Sequence, residues 1–241
     1  MRVGSRWCRQ ALARLCFPPS CLACGLYLDN ADLLFCPVCL QKIRFIVPPF
    51  CLICGRPFAA GDSHLCGQCL KKNWHFRKAR AVFLYDETVA KPILSFKFGG
   101  RKAGLPTFQR LKEQSYCCTD LVQPDLILPV PLHPKRLRSR GFNQALLLAR
   151  RFFPEEGEKI VTGILQRRRD TPAQTGLDGA ARRKNMRDAF DVNQVERVRG
   201  RAIILIDDVF TTGSTVNECA RVLMAAGAAR VDVLTLARVE K

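Results

Sequence analysis

The chain has 241 residues, 48% of them hydrophobic, enough for one well-buried core with a small appendage. Its 39 Lys and Arg against 21 Asp and Glu leave a formal net charge of +18, which calls for a polyanionic ligand or partner without naming one. No apolar run approaches the roughly 18–20 residues of a membrane span, and the opening MRVGSRWCRQALARLCF lacks the apolar stretch of a secretion signal, so a cytosolic protein is expected.

That opening segment alternates Arg with apolar residues and reads as a short amphipathic helix. Four CxxC pairs follow: Cys21/Cys24, Cys36/Cys39, Cys51/Cys54 and Cys66/Cys69. Two thiolates on one tight turn can face the same ion, and four of them close a tetrahedral structural zinc site, so two zinc ions are expected. An odd total of 13 cysteines and the lack of a secretion signal argue against a disulfide framework. Eleven residues separate each pair from the next, so spacing alone does not say which pairs share an ion. The neighbouring letters help, because Cys21-Leu-Ala-Cys24-Gly25 recurs 30 residues later as Cys51-Leu-Ile-Cys54-Gly55. This favours two sequential four-cysteine ribbons over an interleaved pair, with both arrangements compatible with the spacing. His64 and His75 read as surface histidines, and Cys8, Cys16, Cys117, Cys118 and Cys219 as small buried hydrophobes. The zinc module is expected to occupy residues 1–76.

From Ala79 onward strands alternate with helices, which implies a parallel sheet flanked by helices over residues 77–241. The pattern predicts a strand over 79–85, a helix beginning near 88, strand then turn over 96–100, and a helix over 106–116. A buried strand follows over 126–130, a helix over 143–153 and a strand over 159–165. Residues 166–187 are rich in Arg, Thr, Gly and Asp and keep no apolar period, as functional loops and disordered segments do. Further strands are predicted over 189–192, 202–206 and 231–237, with a helix over 214–226.

The segment Ile203-Ile-Leu-Ile-Asp207-Asp208-Val-Phe-Thr211-Thr212-Gly213-Ser214-Thr215 has its own chemical logic. A buried strand is expected to end in two carboxylates, then a Thr/Gly/Ser loop, then a helix whose positive end would cradle a phosphate. Gly213 is expected to let the backbone approach that ligand closely. It is not a Walker loop, because the chain has no GxxxxGK[ST].

The segment resembles the phosphoribosyl-pyrophosphate (PRPP) signature of type I phosphoribosyltransferases, apart from Phe210 at a usually aliphatic position. The cysteine ribbons, Tyr85-Asp86, Lys97-Phe98-Gly99-Gly100, Val130-Pro-Leu-His-Pro-Lys-Arg136, Arg140-Gly-Phe-Asn-Gln144, Arg169-Asp-Thr-Pro-Ala-Gln174 and Asn185 together resemble the competence-protein ComF family. The resemblance implies that Asp207 and Asp208 grip the ribose hydroxyls. Thr211, Thr212, Gly213, Ser214 and Thr215 would bind the 5′-phosphate, and PRPP would bring Mg²⁺. Arg140 becomes the candidate pyrophosphate contact and completes the expected catalytic set. Arg169 and Arg183 are then lid candidates, with Thr171, Gln174 and Asn185 as polar lid residues. Residues 133–187 carry 14 Lys and Arg against 5 Asp and Glu, a net +9, which suits pyrophosphate. The acceptor would be read by residues 79–116, including Lys97.

Two other readings stand beside transfer of phosphoribosyl. One is a non-catalytic module for PRPP or single-stranded DNA, with cations on phosphates and aromatic rings on bases. The other is a zinc-scaffold adaptor for proteins of DNA uptake.

Overall fold

A computed structural model describes residues 19–29, 33–98, 102–116, 119–169 and 188–240. The N-terminal helix expectation and most of the polar stretch 166–187 fall outside them.

The described residues form six strands: β1 (Lys78–Leu84), β2 (Leu126–Pro129), β3 (Leu165–Arg167), β4 (Phe190–Val192), β5 (Ala202–Phe210) and β6 (Arg230–Arg238). Four form one parallel sheet in the order β1-β6-β5-β2, and β3 pairs antiparallel with β4. The sheet is buried on both faces, as an all-parallel sheet must be. Along β5, Ile204 and Ile206 join one apolar cluster, with Ile93, Phe96, Phe108, Leu111 and Leu148 from three helices. Ile203 and Leu205 point the other way, to Val216, Ala220 and Leu223 on the helix Ser214–Ala225.

Each ribbon joins a different side of this sandwich. Cys21, Cys36 and Cys39 belong to the first cluster, and Cys51, Cys54, Cys66 and Cys69 to the second. The 30-residue repeat is therefore split by the sheet. Gly55 shows how tightly the second ribbon sits: its φ is +67°, and a Cβ there would lie 2.6 Å from the Ala79 carbonyl oxygen on β1. Its repeat partner Gly25 (φ +83°) meets nothing within 4 Å.

Arg80 is the polar bolt of that junction. Only 2% exposed, it donates to Asp120 through Nε (2.9 Å) and Nη2 (2.5 Å), and to the Leu52 carbonyl of the second knuckle (3.1 Å). Lys78 adds a third bond to Asp120 at 2.8 Å. Burial opposes the Asp120 charge, but the bonds from Arg80 and Lys78 outweigh it and hold the carboxyl below its usual range. Asp120→Ala should cost about 3 kcal/mol, because it strands a buried guanidinium. The loss should be read by thermal melts at pH 7 and shrink in acid, since a lowered carboxyl stabilises only above its unfolded pKa.

Two element predictions need correction. Residues 96–98 end the helix Glu87–Phe98 instead of forming a strand; Val89, Ile93 and Phe96 recur at helical spacing and are all buried. Of the strand expected over 159–165, Ile160 makes only an isolated bridge to Ile127 and Leu165 begins β3, because a 3₁₀ turn (Pro154–Lys159) and Gly163 at φ +87° interrupt the run.

Candidate functional site

The eight CxxC cysteines assemble as Cys21/Cys24/Cys36/Cys39 and Cys51/Cys54/Cys66/Cys69, with the sulfurs of each set within 4.8 Å of one another. The sharing is sequential, not interleaved. Cys24 and Cys36 sulfurs are 3.8 Å apart, and Cys54 and Cys66 sulfurs 3.7 Å. A tetrahedron of ~2.3 Å Zn–S bonds has edges of about 3.8 Å, so both sets fit zinc. Four thiolates this close need a cation: Cys51 is pulled down to about 3, chiefly by its hydrogen bond with Cys54, while Cys54 is pushed up. Trp74 Nε1 donates to Cys69 Sγ at 3.2 Å, an outer hydrogen bond that orients a ligand. His64 stacks on Phe58 at 4.1 Å and belongs to neither set. Cys219, expected as a buried hydrophobe, is fully buried.

At the other end of the sheet, β5 does not stop at the acids. It runs through Asp207 and Asp208 to Phe210, because the ladder with β6 continues to the Phe210–Arg238 pair. Successive strand residues point to opposite sides, so the two carboxylates meet different neighbours. Asp208 is buried, with Lys97 Nζ 3.0 Å from its Oδ2 as an ion pair that lacks hydrogen-bond geometry. Asp207 accepts from the Asp208 amide at 2.9 Å. Burial, then the Asp208 charge, push the Asp207 carboxyl up to about 7, against the lowering influence of Lys97 and Arg167.

That shift has a testable sign. A raised carboxyl contributes stability that is complete below its ordinary value of 3.8 and lost as pH rises through about 7. Asp207→Asn should therefore leave the melting temperature near wild type at about pH 3.5 and raise it by a few degrees at pH 8.

Arg140, the candidate pyrophosphate contact, lies close enough to Asp208 and Asp207 to feel their charges. It ends the helix Pro134–Arg140, its Nη1 donates to Gln144 Oε1 at 2.5 Å, and its guanidinium lies 5.1 Å over the Phe98 ring. Burial lowers its pKa, while the charges of Asp208 and Asp207 oppose that loss. Arg140, Lys97 and the two acids thus form one electrostatic group. Arg169 is exposed beyond β3; Thr171, Gln174, Arg183 and Asn185 lie outside the described residues.

The loop Thr211–Gly213 leads into the helix Ser214–Ala225. Gly213, its N-cap, has φ +70° and offers no side-chain oxygen to the first helical amides, but Thr212 Oγ1 accepts from the Ser214 amide at 3.4 Å. Thr212 Oγ1 and Ser214 Oγ are 2.8 Å apart and close the turn. The packing gives glycine a further reason: a Cβ at Gly213 would lie 2.5 Å from the Phe210 ring and 2.8 Å from the Trp74 ring.

Trp74, and Lys97 as the partner of Asp208, are what the sequence reading missed. Trp74 lies five residues after Cys69 and nothing local marks it; Lys97 was hidden by the strand assignment over 96–100.

Residues 12–70 match the family model of the double zinc ribbon domain, and residues 137–241 that of the phosphoribosyl transferase domain. The chain is 40% identical over 120 residues to DNA utilization protein YhgH of Escherichia coli O157:H7, covering 50% of this chain and 52% of that one. It is 37% identical over 116 residues to competence protein F of Haemophilus influenzae, covering 48% and 51%. The chain thus spans about half the length of these two relatives. Against DNA utilization protein YhgH of Salmonella typhimurium the match is 34% over 230 residues, covering 93% of this chain and 99% of the relative. With that full-length match, two zinc-fitting cysteine sets and a phosphoribosyltransferase domain, the chain belongs to the competence-protein ComF family.

Proposed function

We propose that the protein binds PRPP and transfers its phosphoribosyl group to an acceptor, with release of pyrophosphate, in a process linked to DNA uptake. The observation that carries this reading is the placement of two carboxylates near the end of β5, one raised to about 7, two residues before a Thr/Gly/Ser loop and the start of a helix. Asp207 and Asp208 hold the ribose 2′- and 3′-hydroxyls, and Thr211 to Thr215 receive the 5′-phosphate. The C1–oxygen bond breaks with its electron pair leaving on pyrophosphate, and a lone pair of the acceptor forms the new bond to C1. Positive charge where pyrophosphate leaves is the main catalytic need, and Arg140 supplies it. Mg²⁺, when bound with PRPP, neutralises charge on the leaving group, and needs no cage of protein ligands.

The reading extends to the whole chain as a zinc module over residues 1–76 and a transferase-like unit over 77–241, working in the cytosol. Among the described residues no helix is long and apolar enough to cross a membrane. Calorimetry with PRPP, with and without Mg²⁺, is the direct test. Mg²⁺-dependent binding is expected, with pyrophosphate released only once the right acceptor is supplied. Oligonucleotide binding with a steep salt slope and no response to PRPP would instead identify a nucleic-acid module.

A further inference from the structure

A cavity of about 580 Å³ lies between the second ribbon and the phosphate loop, and this function does not use its full extent. Thr211 and Thr212 form one wall, and Arg56, Lys71, Lys72 and Arg238 stand around it with the rings of Trp74 and Phe210. No Asp or Glu lines it among the described residues. Arg238 is the most telling of the four. It is 5% exposed, donates through Nη1 to the Cys54 carbonyl and lies 5.0 Å over the Phe210 ring, yet its buried Nε has no hydrogen-bond partner.

The neighbouring zinc centre does not account for this charge. Four thiolates on one Zn²⁺ carry 2 − 4 = −2, whereas Arg56, Lys71 and Arg238 alone carry +3, which leaves a surplus of positive charge around an open space. Its position says what the surplus is for. Thr211 and Thr212 line the cavity, while Asp207 and Asp208 do not. A ribose 5-phosphate held with its hydroxyls at the acids and its phosphate at the threonines therefore ends at the mouth of the cavity. PRPP extends from C1, not from its 5′ end, and leaves this space empty.

We propose that the phosphate loop accepts ribose 5-phosphates extended on the 5′ side through a second phosphate, that is, 5′-diphosphate esters. The second phosphate meets Arg56, Lys71, Lys72 and Arg238, and the group beyond it lies against Trp74 and Phe210. This inference rests on the ribose-phosphate reading of Asp207 to Thr215 and deepens it. The second ribbon becomes a wall of the ligand site as well as a structural clip.

The zinc-loaded full chain, titrated with ribose 5-phosphate and with ADP-ribose, tests it. ADP-ribose carries the same ribose 5-phosphate with a second phosphate and a nucleoside on its 5′ side. It should bind about tenfold or more tighter than ribose 5-phosphate, the gain expected of one or two charge-assisted hydrogen bonds. Lys71→Glu and Arg56→Glu, checked for zinc content and melting temperature, should abolish that gain and leave ribose 5-phosphate affinity unchanged. Equal affinities for the two probes in the wild-type protein, or a gain that survives both variants, overturn the inference while the ribose-phosphate reading stands. Failure to bind ribose 5-phosphate at all overturns both.

Discussion

Replacing Cys51 and Cys54 with serine should unfold the α/β sheet together with the second ribbon. Those sulfurs pack in one cluster with Leu128, Ile203, Leu205 and Val233 of the sheet and with Leu223 of the helix behind it. Gly55 rests against the backbone of β1, and Arg80 ties the knuckle carbonyls to the same strand. Structural zinc binding is worth about 10–16 kcal/mol, as much as the whole stability of a typical domain at 5–15 kcal/mol. Its loss therefore has nowhere to be absorbed. Wild-type protein prepared with adequate zinc should carry about two ions per chain, and the double variant should lose its cooperative melt by circular dichroism. A variant that retained one zinc and a native-like melt would show that the sheet stands without the ribbon.

PRPP affinity should fall about ten- to a hundredfold in Asp208→Asn, the loss of a charge-assisted bond worth roughly 1.5–3 kcal/mol. The variant keeps the shape of the side chain and should remain folded, with Lys97 left half-paired at the surface of the site. Pyrophosphate alone makes no ribose contact, and its binding should change little. Gly213→Val should behave differently. Its φ of +70° strains any L side chain, and the new carbons would collide with Phe210 and Trp74. The helix start should shift, PRPP binding should be lost, and the melting temperature should fall with it. Calorimetry and melts on both variants separate a lost contact from a displaced loop. Unchanged PRPP affinity in a folded Asp208→Asn protein would place the ribose site elsewhere.

Much of this was legible in the sequence because its signals are local. CxxC pairs mark metal knuckles by the reach of two thiols on a turn, and the 30-residue repeat sorted them correctly into sequential sets. An apolar run ending in Asp207-Asp208 and T-T-G-S-T marks a strand, loop and helix start, and the structure has that order, with the strand running on to Phe210. What failed locally failed through competition: Phe96 and Phe98 favour strands by type, but burial of Val89, Ile93 and Phe96 at helical spacing against the sheet outweighed that preference.

The relation between the two halves was not legible at all. Nothing in a tandem repeat says that its copies will pack against opposite faces of one sheet, because that depends on which strand each ribbon abuts. Trp74 reaches Gly213 across 139 residues of sequence, and Lys97 reaches Asp208 across 111. The local sequence determined the chemistry available: two tetrathiolate sets, an acid pair and a hydroxyl-rich loop. Only the tertiary packing decided that the second set would stand beside that loop and surround a basic cavity, because long-range burial, not local pattern, chooses which surfaces meet.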